Sequence, residues 1–409
     1  EARPRRGREA RREMNRKERR KSAKSAGGRA AGQADPADLL RKLREDARAG
    51  RLGAVIKTAE TLATLSPGDP KPLAIAGAAC RQLRRFDRAE RFFAAAAEAA
   101  PDDHELAMAR VETLREAGKP GPALELHAAL AERVGSVEML SGFVRAAWAA
   151  EETGRIAAFC DRILALAPQN MEAMAHKGLA LHAEGDAAGG DAVIDMDQLL
   201  SVRDIASPEG YDSVAAFNAE LSAHVAGHPS MAVPDPDHPT YHNPQLQITA
   251  ELLNSDVKPI AALRRMVAGA IADYRAERSG SNHPFLAAFP DGAPMSGWAT
   301  LLDGEGTVDP HIHLEGYLAT VYYPLLPPEA ARTPEDDETL PEGWLEIGRP
   351  AGDYPPALHP PTRLIQPKEG RLVLFPGYFF HRTTPFRSAG RRISVAIDVV
   401  AKPAAGPPA

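Results

Sequence analysis

Cysteine is scarce: the 409 residues hold two, Cys80 and Cys160. Two thiols cannot build a disulfide framework or a thiolate zinc site. Each lies in a helix-like pattern, where a free thiol behaves as a small apolar side chain. No apolar run reaches the roughly 20 residues that a membrane-spanning helix needs, and no apolar signal core stands near the start. These absences leave a reducing, cytoplasmic setting as the expectation.

Charge is unevenly placed. Between Glu1 and Ala31 stand thirteen Lys/Arg and four Glu, so this stretch carries about +9 against a chain total of −6, and the remainder is near −15. An acidic body argues against a general nucleic-acid-binding protein. The stretch 1–35 has almost no large apolar residue to offset its ordering entropy, so it reads as a disordered or partly helical basic tail. It contains no aromatic to stack on bases, and nucleic-acid contact, if any, belongs to this tail alone.

From 36 to 203 the pattern is helical and periodic. Pro67 and Pro101 lie thirty-four residues apart, each closing an Ala-rich amphipathic pair, and Pro168 falls one residue short of two more periods. In the best copy, Pro70 to Asp103, Gly77 and Ala89 are the small residues at a helix crossing, followed by Phe93, Ala96 and Pro101. Later copies keep Ala123, then Ala157 and Pro168, then Gly178, with Val111 where glycine would sit. Gly118, Gly154 and Gly185 mark inter-helix turns. At these positions the segment resembles the tetratricopeptide repeat, whose period is thirty-four. The expectation is an all-α superhelix whose concave face docks a protein or peptide, or serves homo-oligomerisation. Arg145, Trp148 and His182 either line that groove or pack within it.

Residues 204–234 read as a linker, with a short helix from Ser213 to Ala226. His224, His228, His238 and His242 cluster around it, among prolines and without regular ligand spacing. Residues 235–405 then form a second domain. One helix, Asp256 to Arg278, carries Val257, Ile260, Leu263, Met266, Val267 and Ile271 on a face. Strand-like runs follow at 295–303, 316–324, 344–348, 363–366, 371–375 and 392–401. One supporting helix on strands implies a sheet closed on itself.

That domain carries the chemistry. His311 and His313 are two apart, so on an extended chain both face one way. Imidazole suits Fe(II), Ni, Cu and Zn. His381, beyond the apolar run Leu372-Val373-Leu374-Phe375 and a Pro-Gly turn, is the candidate third ligand of a facial site with open positions. Arg392 and Ser394 share a face of the last strand, where an inward guanidinium needs an anion; a carboxylate fits it in bidentate fashion.

His311-Ile312-His313, Tyr322-Tyr323, Phe375-Pro376, His381 and Arg392-Ile393-Ser394, in this order, resemble the 2-oxoglutarate- and Fe(II)-dependent oxygenases, nearest a bacterial and phage group within them. The resemblance covers roughly 235–402. It implies a double-stranded β-helix (jelly-roll), Fe(II) as metal and 2-oxoglutarate as cosubstrate. It further implies His311, His313 and His381 as metal ligands, and a cosubstrate carboxylate held by Arg392 and Ser394 beside Tyr323. The implied reaction uses O2 to hydroxylate a C–H bond of a protein, a peptide or a small molecule. The common triad has a carboxylate where His313 stands, so Glu315 is kept as the alternative third ligand. Two other readings remain open: a cupin-like three-histidine metalloenzyme without 2-oxoglutarate, and a non-catalytic repeat scaffold.

Overall fold

The computed structural model describes residues 35–235, 243, 245–304, 306–332, 340–352, 354–355, 358–387 and 390–400. The basic tail up to residue 34, and with it His238 and His242, lies outside the described residues. The chain divides into two compact units, Glu1–Leu130 and Ala131–Ala409.

The first unit is made of paired helices: Pro36–Arg48 with Leu52–Leu65, Pro70–Gln82 with Phe86–Ala99, and His104–Glu116 with the helix starting at Pro120. The first helix of each pair begins behind an aspartate. Asp35, Asp69 and Asp103 each accept a hydrogen bond from the backbone N–H two residues on, at 3.0, 3.0 and 3.2 Å. Capping this way satisfies one of the donors that a helix start leaves bare. Gly77 stands where expected: a Cβ there would come within 3.0 Å of the Phe93 ring, which would have to shift to admit it. Val55, Ile56, Ala59, Ala76, Cys80, Ala89 and Phe93 form one continuous core.

The second unit opens with two more copies, Val137–Ala149 with Ile156–Leu166, and Met171–Ala183 with Ala187–Val193. Ser136 and Asn170 cap them in the aspartate positions. The turn within each pair recurs at Gly50, Arg84, Gly118, Glu151 and Gly185, all at positive φ between 56° and 82°. Gly154 is therefore not the turn glycine of its copy. It sits in a short 3-10 turn, Thr153–Arg155, while Glu151 takes the left-handed conformation at φ 56°.

Ten strands follow in the same unit: β1 Ser201–Asp204, β2 Leu246–Ile248, β3 Met295–Asp303, β4 Gly306–His311, β5 Gly316–Leu325, β6 Leu345–Ile347, β7 Arg363–Ile365, β8 Arg371–Pro376, β9 His381–Phe386 and β10 Arg391–Val400. They form a six-stranded sheet, β1-β8-β5-β10-β3-β2, and a four-stranded sheet, β4-β9-β6-β7. Every described pairing is antiparallel. From β3 onward the chain alternates between the sheets except at the β6–β7 hairpin, which is the connectivity of a jelly roll, the double-stranded β-helix.

Two strands outside the strand-like runs read from the sequence, β4 and β9, build half of the smaller sheet. Part of the stretch 204–234 packs on the larger one: in the helix Val214–Ala226, Asn218 accepts a 2.6 Å hydrogen bond from the Tyr322 hydroxyl. The long helix Lys258–Glu277 buries Ile260, Leu263, Val267, Ile271 and Tyr274, whereas Val257 is 42% exposed at its cap. Its Tyr274 hydroxyl donates to the Leu199 carbonyl at 2.7 Å, below the repeat helices.

Candidate metal centre

The two sheets enclose a pocket lined from one side by Trp298, Tyr323 and Arg392 and from the other by His311 and His381. His311 ends β4 and His381 begins β9, and the two are direct cross-strand partners. Their ring centroids are 4.3 Å apart. His313 lies two residues past His311. Its backbone N–H donates to the Gly377 carbonyl at 2.8 Å, which anchors the turn after β4 to the turn after β8. That approach needs glycine, since a Cβ on Gly377 would overlap the Gly316 carbonyl oxygen. The His313 ring is then 4.9 Å from His381 and 5.4 Å from His311. One ring nitrogen from each histidine falls within 4.8 Å of the others, a group able to hold a metal ion.

The opposite nitrogens are also accounted for. Nδ1 of His311 lies 2.8 Å from the Asp309 carbonyl, and Nδ1 of His381 lies 3.0 Å from the Phe379 carbonyl. Nδ1 of His313 lies 2.8 Å from both carboxylate oxygens of Asp398. Carbonyls and carboxylates only accept, so Nδ1 carries the proton in each ring and Nε2 keeps the lone pair that a metal takes. Burial, with His311 and His313 nearby, pushes His381 well below the usual histidine range, which favours its neutral, ligating form. Glu315, the alternative ligand, is exposed in the turn before β5 and stands outside this group. His224 and His228 stand with ring centroids 5.5 Å apart, and Nδ1 of His228 is 2.8 Å from the Ser230 hydroxyl.

β10 supplies the other half of the pocket. Arg392 is 3% exposed. It donates from Nη1 to Ser394 Oγ at 3.0 Å, and Ser394 in turn is 2.7 Å from the Thr300 hydroxyl. Its guanidinium carbon lies 5.3 Å from the Tyr323 ring centroid. No acidic side chain pairs with Arg392 among the described residues, and burial pushes its pKa down. Its Nε and the Tyr323 hydroxyl are buried without a hydrogen-bond partner. A bulge between β10 and β5, where register shifts between Ile393 and Val395, lies beside this pair; bulges re-aim side chains next to sites. Three inward imidazoles suit Fe(II), and two orphaned buried donors beside a lone guanidinium suit the carboxylate of a dicarboxylic acid.

Sequence reasoning missed Asp398 and Thr300. The signal for Asp398 was present: Arg392, Ser394, Ala396 and Asp398 alternate with Ile393, Val395, Ile397 and Val399, so all four share the pocket face.

Residues 296–398, about a quarter of the chain, match the family model described as "Putative 2OG-Fe(II) oxygenase". The matched range contains every site residue above. No curated protein matches. Among solved structures, a Pseudomonas putida prolyl-4-hydroxylase is 17% identical over 52% of this chain and 98% of its own, at TM-score 0.34. A Trichoplax adhaerens prolyl hydroxylase in complex with a hypoxia inducible factor peptide fragment is 13% identical over 55% and 90%, at 0.32. YrrB, a TPR protein with an unusual peptide-binding site, is 15% identical over 40% and 86%, at 0.30. Superpositions this loose carry no argument about activity. The family match supports a 2OG-Fe(II) oxygenase domain over these residues, a family whose description names Fe(II) and 2-oxoglutarate as cofactors. No helix of the described residues is long and apolar enough to cross a membrane.

Proposed function

We propose that the protein is a 2-oxoglutarate-dependent hydroxylase. His311, His313 and His381 hold Fe(II). Arg392 and Ser394, with the Tyr323 hydroxyl, hold the distal carboxylate of 2-oxoglutarate. The observation that carries this reading is Arg392: a buried guanidinium without an acidic partner, facing the same pocket as three convergent imidazoles. A buried cation costs several kcal/mol unless an anion meets it, and a cosubstrate carboxylate is that anion.

When bound, iron and 2-oxoglutarate would supply the oxidising chemistry: the keto acid leaves as succinate and CO2, with one oxygen atom of O2 entering succinate and the other the hydroxylated substrate. The protein's own part is to hold and to shield. Three Nδ1–H donors fixed on Asp309, Asp398 and Phe379 keep the imidazoles aimed. Trp298, Phe375 and Leu345 wall the pocket against water. The substrate is a protein, a peptide or a small molecule, with the repeats docking it or pairing two chains.

The test is succinate formation from 2-oxoglutarate with Fe(II) under air, scored against Arg392→Met and His381→Ala. Turnover in the wild type and none in either variant is expected. Stoichiometric metal without any 2-oxoglutarate binding would instead favour a three-histidine metalloenzyme of the cupin kind, and no metal at all a scaffold.

A further inference from the structure

Asp398 is a buried carboxylate that meets the pocket-lining His313 from behind its ring. It is 6% exposed, and both its oxygens lie 2.8 Å from Nδ1 of His313. No Lys or Arg pairs with it among the described residues; its ion-pair partner is His313 alone. Room has been made for it. A Cβ on Gly316 would overlap Asp398 Oδ2 and come within 3.0 Å of His313 Cβ, so only glycine admits the carboxylate at this point. A second register shift in β10, between Val399 and Val400, lies where β10 passes Gly316. Trp298 flanks the His313 ring, centroids 5.6 Å apart.

The three histidines are thus not equivalent. His311 and His381 donate to neutral backbone carbonyls, and only His313 donates to a charge. His313 also stands where a facial triad would place its carboxylate ligand. Three imidazoles bring no charge to a dication, and a buried carboxylate facing one neutral N–H is poorly compensated. Each deficit answers the other once a metal sits on Nε2.

We infer that Asp398 is a positioning residue of the metal site: through His313 it fixes the third imidazole with Nε2 inward, and it supplies from behind that ring the negative charge a bound carboxylate would supply directly. The inference rests on the reading of His311, His313 and His381 as metal ligands.

Co(II), a spectroscopic stand-in for Fe(II), tests it on the full chain. Calorimetric titration and the visible Co(II) spectrum are recorded for wild type, Asp398→Asn and Asp398→Ala. Asn keeps an acceptor for Nδ1–H but loses the charge, whereas Ala loses both. The expected result is a roughly 10-fold weaker Co(II) Kd for Asn, approaching 100-fold for Ala, with an altered spectrum. The metal-free variants should melt no lower than wild type, because a poorly compensated buried charge has been removed. Wild-type Kd and spectrum in both variants, or a fall in metal-free stability with Kd unchanged, would overturn the inference and leave the ligand reading standing. Absence of stoichiometric Co(II) in the wild type would overturn the ligand reading itself. Should the variants not fold, proton NMR of the wild-type Co(II) protein decides. Three exchangeable, hyperfine-shifted N–H signals are required, one per Nε2-bound ring; two signals would overturn the inference.

Discussion

Replacing Arg392 by methionine should move the cosubstrate-loaded and cosubstrate-free proteins in opposite directions. The side chain is 3% exposed, its Nε has no partner, and burial holds its pKa below the ordinary arginine value. What compensates the charge inside the protein is one hydrogen bond to Ser394 and the Tyr323 ring 5.3 Å away, the latter worth about 0.5–2 kcal/mol. The effective cost of burying an ion is several kcal/mol. Without 2-oxoglutarate, Arg392→Met should therefore be as stable as wild type or more stable, by up to about 3 kcal/mol. With 2-oxoglutarate the sign reverses. Truncating one partner of a buried charged hydrogen-bonded pair costs about 2–5 kcal/mol, which weakens Kd from about 30-fold to several thousand-fold. The assay is anaerobic thermal denaturation with Fe(II), with and without 2-oxoglutarate. At a hundred times Kd the wild type gains about 2.7 kcal/mol, or roughly 5–10 °C for a unit of this size; at the same concentration the variant gains about 0.9 kcal/mol if Kd is 30-fold weaker and close to nothing if it is several thousand-fold weaker. If Arg392→Met melts well below wild type in the absence of 2-oxoglutarate and is still protected by it, Arg392 is a structural residue and the anion-site argument fails.

Tyr323→Phe removes a buried hydroxyl that has no partner, so the melting point should hold or rise while the 2-oxoglutarate Kd weakens about 5- to 10-fold, the worth of one hydrogen bond; an unchanged Kd by calorimetry would take Tyr323 out of the site. Glu151 sits at φ 56° where three of the four equivalent turns hold glycine, and the left-handed conformation costs a side chain about 1–2 kcal/mol. After the entropy that glycine adds to the unfolded chain, Glu151→Gly should stabilise by roughly 0.5–1 kcal/mol in urea denaturation, and a loss of stability would contradict the turn assignment. Hydrogen bonds from Arg371 and Lys368 hold the Asp204 carboxyl down at about 2. Its folded pKa is depressed, so its stabilisation is full above the ordinary pKa of about 3.9 and fades as pH falls toward 2. Asp204→Asn should flatten that acid limb by less than about 1 kcal/mol, the pair being half-exposed, and an unaltered limb would show that the ion pair linking β1 to β8 is energetically silent.

Strands that read as near-continuous apolar runs were legible: 295–303, 316–324 and 371–375 match β3, β5 and β8 to within a residue at each end. β4 and β9 were not, because Pro310 and Pro385 interrupt them. Proline removes a ladder donor and reads as loop, yet an edge strand tolerates it, and β4 is the edge of the smaller sheet with irregular register against β9. Two of the candidate ligands, His311 and His381, therefore sit on the two strands that are hardest to see, and His313 just past the first. Asp398 was hidden differently, as an acidic residue in phase on a strand whose in-phase arginine had already been explained. The periodic pattern also conceals the division of the chain. Caps at Asp103, Ser136 and Asn170 keep the period through the point where the compact units part, so helices beyond Ala131 read as more of the same array. Periodicity reports local helix pairing; which pairs cluster with the sheets depends on long-range packing that no local window contains.

That packing changes what the last repeats can bind. Trp148 and His176, on the helices Val137–Ala149 and Met171–Ala183, are 5% and 7% exposed. What covers them includes Tyr354 of the same unit: its ring is 5.0 Å from Trp148, and its hydroxyl is 3.2 Å from Nδ1 of His176. Tyr354 in turn lies edge-on to Phe380, centroids 5.5 Å apart, one residue before His381. Glu172, its carboxyl held below the usual range by His176 and then Arg145, completes the contact. An aromatic residue at this place in a repeat groove is a ready anchor for a peptide, but here the chain's own tyrosine already fills it. A partner that takes Trp148 must first lift Tyr354 away from Phe380, giving up a T-shaped ring pair worth about 0.5–1.5 kcal/mol beyond its burial.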